Sequence, residues 1–163
     1  MNFMPANYQT LADELATLAD SAESAEHLMT MIVERLQELL KHYNWVGFYI
    51  LDEGVDGAEP TLVLGPYIGA ETPHKRIALN QGICGAAVSS AQTVVVDDVN
   101  SDPRYLACSL ETKSEIVAPV FVNGKVVGEL DIDSHQPAAF TEDDRLLVEH
   151  CASLVGQYLE TTS

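Results

Sequence analysis

Basic residues are scarce in this chain of 163 residues. It has 8 lysines and arginines against 25 aspartates and glutamates, which gives a formal net charge of −17 at pH 7. A field of that sign repels the phosphates of a nucleic acid and the headgroups of an anionic membrane. The composition therefore argues against nucleic acids and membranes as partners, and it leaves open a site for a cationic group.

Long apolar runs are missing as well. No stretch reaches the roughly 18 consecutive apolar residues that a membrane span needs, and the N-terminus has no basic segment followed by an apolar one, as a secretory signal has. We therefore expect a cytoplasmic protein. The hydrophobic share of 47% is enough to fill the core of one domain of this length.

Cysteine is rare too, and the 3 that are present exclude a disulfide framework. The chain lacks the Gly-x-Ser-x-Gly elbow of a serine hydrolase and a glycine-rich phosphate loop after a strand. The chain also has no C-x-x-C or H-x-x-x-H pair, the spacings that indicate a zinc site. A metal site from Cys84, Cys108, His74 and His135 has little support from their spacing, so we expect no metal.

The apolar pattern predicts one domain over residues 1–163, with helices at both ends of the chain. It divides into a helical N-terminal segment at 8–42, a sheet with active-site loops at 44–134, and a C-terminal helix at 141–160. The predicted strands are 45–51, 61–64, 74–79, 93–96, 115–122 and 125–133. This order indicates an α+β fold in which helices pack mainly on one face of an antiparallel sheet.

Local signals mark where these elements begin and end. Asp20 and Glu23 predict the cap of the second helix, and residues 141–144, Thr-Glu-Asp-Asp, resemble a capping box for the last one. Asn123 and Gly124 are a strong hairpin signal between the last two strands. The second strand, 61–64 or slightly further, is expected to break at Gly65, Pro66 and Gly69.

Alternation along two strands predicts a pocket. Trp45 and Tyr49 share one strand face, and Asp131 and Asp133 share a face of another, because successive side chains point to opposite sides. If helices cover the other side, these residues form an aromatic wall and an acidic floor. Core packing is the alternative for the aromatic pair, and a solvated face is the alternative for the aspartates, although two acids on one face repel each other.

The three cysteines have different expected roles. Cys151 lies on the apolar stripe of the last helix and is expected in the core. Cys84 stands near a predicted helix start, where the helix terminus lowers a thiol pKa, so physical chemistry alone nominates it as the nucleophile. Cys108 can also be a small buried hydrophobe, the commonest fate of a free cysteine.

From about residue 43 to residue 159 the chain resembles a GAF domain, and more narrowly the free methionine-(R)-sulfoxide reductases. The resemblance rests on the order and spacing of six short segments, each weak alone. They are Asn44-Trp45-Val46-Gly47-Phe48-Tyr49, Gly82-Ile83-Cys84-Gly85, Asp97-Asp98-Val99, Ala107-Cys108, Ser114-Glu115-Ile116-Val117 and Leu130-Asp131-Ile132-Asp133-Ser134.

The resemblance implies a layered α/β/α fold with an antiparallel sheet of about six strands. It implies reduction of free L-methionine-(R)-sulfoxide through a cysteine sulfenic acid and a disulfide, with thioredoxin as reductant, no cofactor and a homodimeric assembly. Cys108 matches the nucleophile and Cys84 the resolving cysteine, which overrides the helix-terminus argument. The matching acids and aromatic residues are Glu115 and Asp133 at the catalytic centre, Asp131 toward the substrate, and Trp45 and Tyr49 in the aromatic wall.

The chain departs from the family pattern at three places. His74 stands where the family has a third cysteine, which puts the recycling route in question. Ser109 replaces the usual aspartate after the nucleophile, and residues 104–106 read Arg-Tyr-Leu in place of Gly-His-Ile, which bears on substrate contacts and rate. A non-catalytic GAF module that senses a small ligand or the redox state is the alternative function.

Overall fold

The computed structural model describes residues 4–106 and 110–162. Its helices are α1 Ala6–Ser21, α2 Ala25–Leu39, α3 Gly82–Ser90 and α4 Glu142–Thr162, with a short 3₁₀ helix at Val99–Ser101. Its strands are β1 Trp45–Asp52, β2 Thr61–Ile68, β3 Arg76–Ala78, β4 Val94–Val96, β5 Ser114–Val122 and β6 Lys125–Ser134. Within these ranges, no helix is long and apolar enough to cross a membrane.

The six strands form one antiparallel sheet in the order β3-β2-β1-β6-β5-β4. Helices α2 and α4 pack on one face, with α1 behind them against α4, and α3 packs on the other face over β5 and β6. The predicted α/β/α arrangement with a six-stranded antiparallel sheet is therefore confirmed.

Strand alternation sorts the side chains between the two faces. Val46 and Phe48 of β1, with Leu130 and Ile132 of β6, join the large core under α1, α2 and α4. The intervening residues of these strands point to the α3 side. The sheet thus carries an apolar face that stabilises the fold and a second face available for chemistry.

The β5–β6 hairpin turns where the sequence predicts it. Asn123 and Gly124 both adopt left-handed backbone conformations, with φ of 51° and 81°. A two-residue turn with positive φ at both positions matches the right-handed twist of the strands it joins. The hairpin fixes the register that brings the acidic residues of β5 and β6 side by side.

Two of the predicted boundaries are wrong. The cap of α2 is Ser24, whose hydroxyl accepts a hydrogen bond from the His27 amide at 3.0 Å. Ser24 directly precedes the first residue of α2, whereas Asp20 still belongs to α1. Strand β2 also continues through the predicted breaks at Gly65 and Pro66, and it ends at Ile68, just before the predicted break at Gly69. A register shift between β1 and β2 places Gly65 and Pro66 opposite Phe48. Strand β3 pairs only with residues 61–63 of β2, so Pro66 lies on an edge of the sheet where its missing N–H interrupts no strand pairing.

Candidate active site

Three carboxyl groups of β6 line the sheet face beneath α3. Glu129, Asp131 and Asp133 alternate with core residues and are at most 2% exposed. Pairing sets their neighbours on the same face: Asp133 lies between Trp45 and Glu115, Asp131 between Gly47 and Val117, and Glu129 between Tyr49 and Pro119. The register of β1, β6 and β5 therefore builds one acidic row with an aromatic residue at each end.

Trp45 forms the wall next to this row. Its indole lies over Gly47, because a Cβ added to that glycine would stand 2.4 Å from the end of the ring. The ring stacks on Tyr67 with centroids 5.5 Å apart, and its Nε1 donates to the Ala70 carbonyl at 3.0 Å. A glycine is required here so that the indole can cover the strand beside Asp131.

Tyr49 closes the other end of the row. It is completely buried, and its hydroxyl donates to the backbone carbonyl of His74 at 2.7 Å. The hydrogen bond holds the segment around His74 against the sheet. The structure thus brings Trp45, Tyr49, Asp131 and Asp133 to one face, as the alternation predicts, whereas their roles toward a substrate stay predictions.

Cys84 enters the site from the opposite layer. It is the third residue of α3, which begins at Gly82, so Cys84 does stand near a helix start, as predicted. Gly85 lets α3 approach β3 closely, since a Cβ there would lie 2.7 Å from the Leu79 carbonyl oxygen. The Cys84 thiol then points down onto the acidic row and donates to Asp131 Oδ2 at 3.3 Å.

The helix-terminus argument for a reactive Cys84 thiolate is wrong. Burial raises the pKa of this thiol well above its ordinary value of 9.0, and the charges of Asp131, Glu129 and Glu115 raise it further. The field of three carboxyls outweighs the partial positive charge of one helix end, so Cys84 is a protonated thiol at neutral pH.

Burial is also the main cause of the pKa shifts of the acids. It raises the pKa of Asp133 and of Glu129 well above their ordinary values, with a further contribution from the charge of Asp131. The pKa of Asp131 is also raised by burial, although hydrogen bonds with Glu115 and Cys84 hold it lower. A raised pKa makes Asp133 and Glu129 better proton donors than exposed acids toward an oxygen that develops negative charge.

Glu115 links the row to β5. It is 4% exposed, and its hydrogen bonds with Asp131 and Asp133 hold the pKa of each aspartate lower than burial alone would set it. In the described part of the chain, Asp131 Oδ1, Asp133 Oδ1 and both oxygens of Glu129 have no hydrogen-bond partner. A buried oxygen without a hydrogen-bond partner lowers the free energy of unfolding, and these oxygens are available to accept hydrogen bonds from a bound ligand.

Two cavities reach this cluster. One of about 90 Å³ is lined by Trp45 and Asp133 together with residues of the 70–72 and 111–112 segments. A smaller one of about 10 Å³ lies between Cys84, Glu115 and Asp131. Asp133 lines the first cavity and Asp131 and Glu115 line the second, so the acidic row borders both cavities although these acids are at most 4% exposed.

Two of the predicted cysteine positions have different outcomes. Cys151 is fully buried in the core, and burial raises its pKa to about 12, which makes it chemically quiet. Cys108, with the departure at Ser109, lies outside the described residues, so its role as nucleophile stays a prediction.

Glu129 is the functional candidate that the sequence reading missed. The signal was present, because Glu129 precedes Asp131 by two residues and so shares its strand face. It interacts with the Cys84 thiol and is 0% exposed. A third acid in the same alternation should therefore have been assigned to the site together with the two aspartates.

The fold and the site define a class of protein, the GAF domain. The family model described as GAF domain matches residues 24–159. The chain is 35% identical over 152 residues to the free methionine-R-sulfoxide reductase of Saccharomyces cerevisiae, which covers 93% of this chain and 81% of that protein. The chain belongs to the GAF-domain family of free methionine-R-sulfoxide reductases and is an oxidoreductase.

Solved structures support this relationship. The free methionine-R-sulfoxide reductase of Neisseria meningitidis, determined in complex with its substrate, is similar with a TM-score of 0.87 and 32% identity, over 95% of this chain and 89% of that one. The type II free methionine-R-sulfoxide reductase of Thermoplasma acidophilum is similar with a TM-score of 0.76 and 37% identity, over 90% of this chain and 96% of that one.

Proposed function

We propose that this protein reduces free L-methionine-(R)-sulfoxide to L-methionine. The observation that carries the proposal is the Cys84 thiol, held 3.3 Å from Asp131 on a buried acidic row beneath Trp45, in a chain of this family. A thiol supplies electrons, buried acids supply protons, and an aromatic wall receives a methylthio group. These are the groups that a thiol-dependent sulfoxide reduction requires.

The substrate contacts follow from the chemistry of the site. The methylthio end packs against Trp45 and Tyr49, whose rings form an apolar wall with centroids 6.4 Å apart. The ammonium group binds Asp131, which carries an oxygen without a partner among the described residues. A cationic ligand suits a chain with a net charge of −17, since the overall field attracts it.

In the first step Cys108 attacks the sulfoxide sulfur. The thiolate sulfur gives its electron pair to form a transient bond to the substrate sulfur. The oxygen then passes to the Cys108 sulfur as the substrate's sulfur–oxygen bond and the transient sulfur–sulfur bond both break, which leaves a sulfenic acid on Cys108 and frees methionine. Glu115 and Asp133 hold the oxygen and supply its proton as negative charge develops. Substrate sulfur is reduced by two electrons and Cys108 is oxidised by two.

In the second step Cys84 resolves the sulfenic acid. Its sulfur forms a disulfide with Cys108, the sulfur–oxygen bond breaks, and the hydroxyl leaves as water with the proton from Cys84. Asp131 accepts the hydrogen bond from the thiol and orients the attacking sulfur. An external dithiol, thioredoxin, then returns both cysteines to the reduced state by exchange, and no metal or organic cofactor takes part.

Methionine release from the separate R and S epimers of free methionine sulfoxide tests the proposal, with dithiothreitol as reductant. We expect turnover of the R epimer alone, loss of turnover in Cys108→Ser, and normal turnover in Cys151→Ala as a matched cysteine control. Absence of turnover of either epimer by folded, reduced protein would contradict the proposal and favour a ligand-binding GAF module. Full activity in Cys108→Ser would show that the nucleophile is wrongly assigned.

A further inference from the structure

Cys84, Glu115 and Asp131 surround one point with three metal-ligating atoms. The Cys84 sulfur and one oxygen from each acid all lie within 4.8 Å of one another, and the three residues are at most 5% exposed. We propose that this cluster binds one Zn²⁺-class divalent cation in the reduced protein.

The distances suit a tetrahedral ion. Zinc bonds of about 2.3 Å to sulfur and about 2.0 Å to oxygen place those two ligands about 3.5 Å apart. The Cys84 sulfur is 3.3 Å from Asp131 Oδ2, so this edge of the tetrahedron is nearly formed without the ion. The Glu115 oxygen lies within 4.8 Å of both of these atoms.

Unsatisfied oxygens provide an independent reason to expect a cation. Within residues 4–106 and 110–162, Asp131 Oδ1 and both oxygens of Glu129 have no hydrogen-bond partner, although each is buried. Glu129 also stands beside the Cys84 thiol. A buried carboxylate oxygen normally has a donor or a metal ion, and this row provides more acceptors than the protein fills.

The available space and the ligand types select the ion. The cavity between the three residues is about 10 Å³, close to what one water or one ion needs and too small for an organic ligand. A thiolate among oxygens favours Zn²⁺ over Mg²⁺, which prefers oxygen ligands and several retained waters. Binding displaces the thiol proton, so the metal replaces protons in the cluster.

The functional consequence rests on the proposed reductase activity. A zinc-bound Cys84 sulfur cannot attack a sulfenic acid, and the ion also occupies Glu115 and Asp131. Zinc therefore inhibits turnover, and a metal-free chain that has formed the Cys84–Cys108 disulfide lacks the sulfur ligand and does not bind the ion. The site then holds metal only while the cysteines are reduced.

Metal binding is measured directly, without activity. Protein reduced with a phosphine and freed of reductant and chelator is titrated with Zn²⁺ by calorimetry and with Co²⁺ by absorption spectroscopy. We expect one ion per chain and a thiolate-to-cobalt charge-transfer band. The band should persist in Cys108→Ser and in Cys151→Ala and disappear in Cys84→Ser, with at least a tenfold loss of zinc affinity.

Asp131→Asn provides a second variant in case Cys84→Ser does not fold, and it should also weaken zinc at least tenfold. Mg²⁺ should bind at least tenfold more weakly than Zn²⁺. The proposal is overturned if wild-type protein takes up no stoichiometric zinc, if no thiolate band forms, or if Cys84→Ser and Asp131→Asn bind zinc like wild type. Because no substrate is present, failure of this site is separate from failure of the reductase assay.

Discussion

Cys84 on α3 donates a hydrogen bond to Asp131 on β6 over 3.3 Å, and neither residue is more than 5% exposed. The pair lies 47 residues apart in the chain and joins the helix layer to the sheet. Burial and neighbouring acids raise the pKa of this thiol, so it is a weak nucleophile toward solvent oxidants. Such a thiol suits a resolving role, in which an already activated sulfenic acid is its partner.

Cys84→Ser should therefore separate the two chemical steps. We expect it to release about one methionine per chain in a rapid burst and then to stall with thioredoxin as reductant, because the sulfenic acid has no resolving partner. Quenched single-turnover assays measure the burst, and a sulfenic-acid-selective probe detects the stalled intermediate. Continued multiple turnover with thioredoxin would assign the resolving role to another group.

Gly47→Ala should displace the aromatic wall. The new Cβ would stand 2.4 Å from the Trp45 ring and 2.8 Å from Tyr67 Cβ, so the indole must move. We expect a loss of about 1–3 kcal/mol in the free energy of unfolding, as in other overpacked sites, and a higher KM. Trp45 is the single tryptophan of the chain, so a shift in its fluorescence emission reports the movement directly.

Gly57→Asn is a suitable control for this substitution. Gly57 has a φ of 80°, which asparagine tolerates, and no atom lies within 4 Å of an added Cβ. This variant should keep the emission spectrum and KM of wild type. An unchanged emission maximum in Gly47→Ala would mean that the indole does not depend on the glycine.

Glu129→Met should stabilise the protein. Both Glu129 oxygens are buried without a partner among the described residues, so an apolar side chain of similar length removes a desolvation cost of about 1–3 kcal/mol. Chemical unfolding in urea with chelator present measures the gain. Glu129→Gln keeps unsatisfied polar atoms and should gain much less. A destabilised Glu129→Met variant would show that the carboxyl has a favourable structural role.

Much of the site could be predicted because alternation in strands depends on local sequence. The residues Trp45, Tyr49, Asp131 and Asp133 share the face that their spacing predicts. The thiol pKa of Cys84 could not be predicted this way. Its value depends on Glu115, Glu129 and Asp131, which reach the thiol only through strand pairing and the docking of α3.

The boundary errors have a similar cause. Pro66 is a strong local stop signal, yet β2 continues past it because its position on an unpaired edge and the register shift opposite Phe48 remove the penalty. The sequence alone does not show which residues of a strand lack a neighbouring strand on one side. The capping signal at Thr141 needed no tertiary information, and there the prediction and the structure agree.

Asp144 joins three separate parts of the chain and should be a sensitive point for stability. Its Oδ1 accepts hydrogen bonds from the hydroxyls of Tyr8 and Tyr43 at 2.8 and 2.7 Å and lies 2.9 Å from His42 Nε2. Its Oδ2 accepts from the Thr141 amide at 2.9 Å. Asp144→Asn should lower the free energy of unfolding at neutral pH by about 1.5–3 kcal/mol.

The pH dependence of the free energy of unfolding tests whether Asp144 stabilises the protein through its charge. Burial raises the pKa of Asp144, but the hydrogen bonds from His42, Thr141, Tyr43 and Tyr8 outweigh it, and the net pKa in the folded protein lies well below the ordinary value of 3.8. A lowered folded pKa contributes stability that is present above the unfolded value and is lost as the pH falls through the folded one. In urea unfolding, the difference between wild type and Asp144→Asn should therefore stay constant from about pH 7 to about pH 5 and shrink below 3.8. A difference that persists unchanged into strong acid would mean that Asp144 acts through packing and not through its charge.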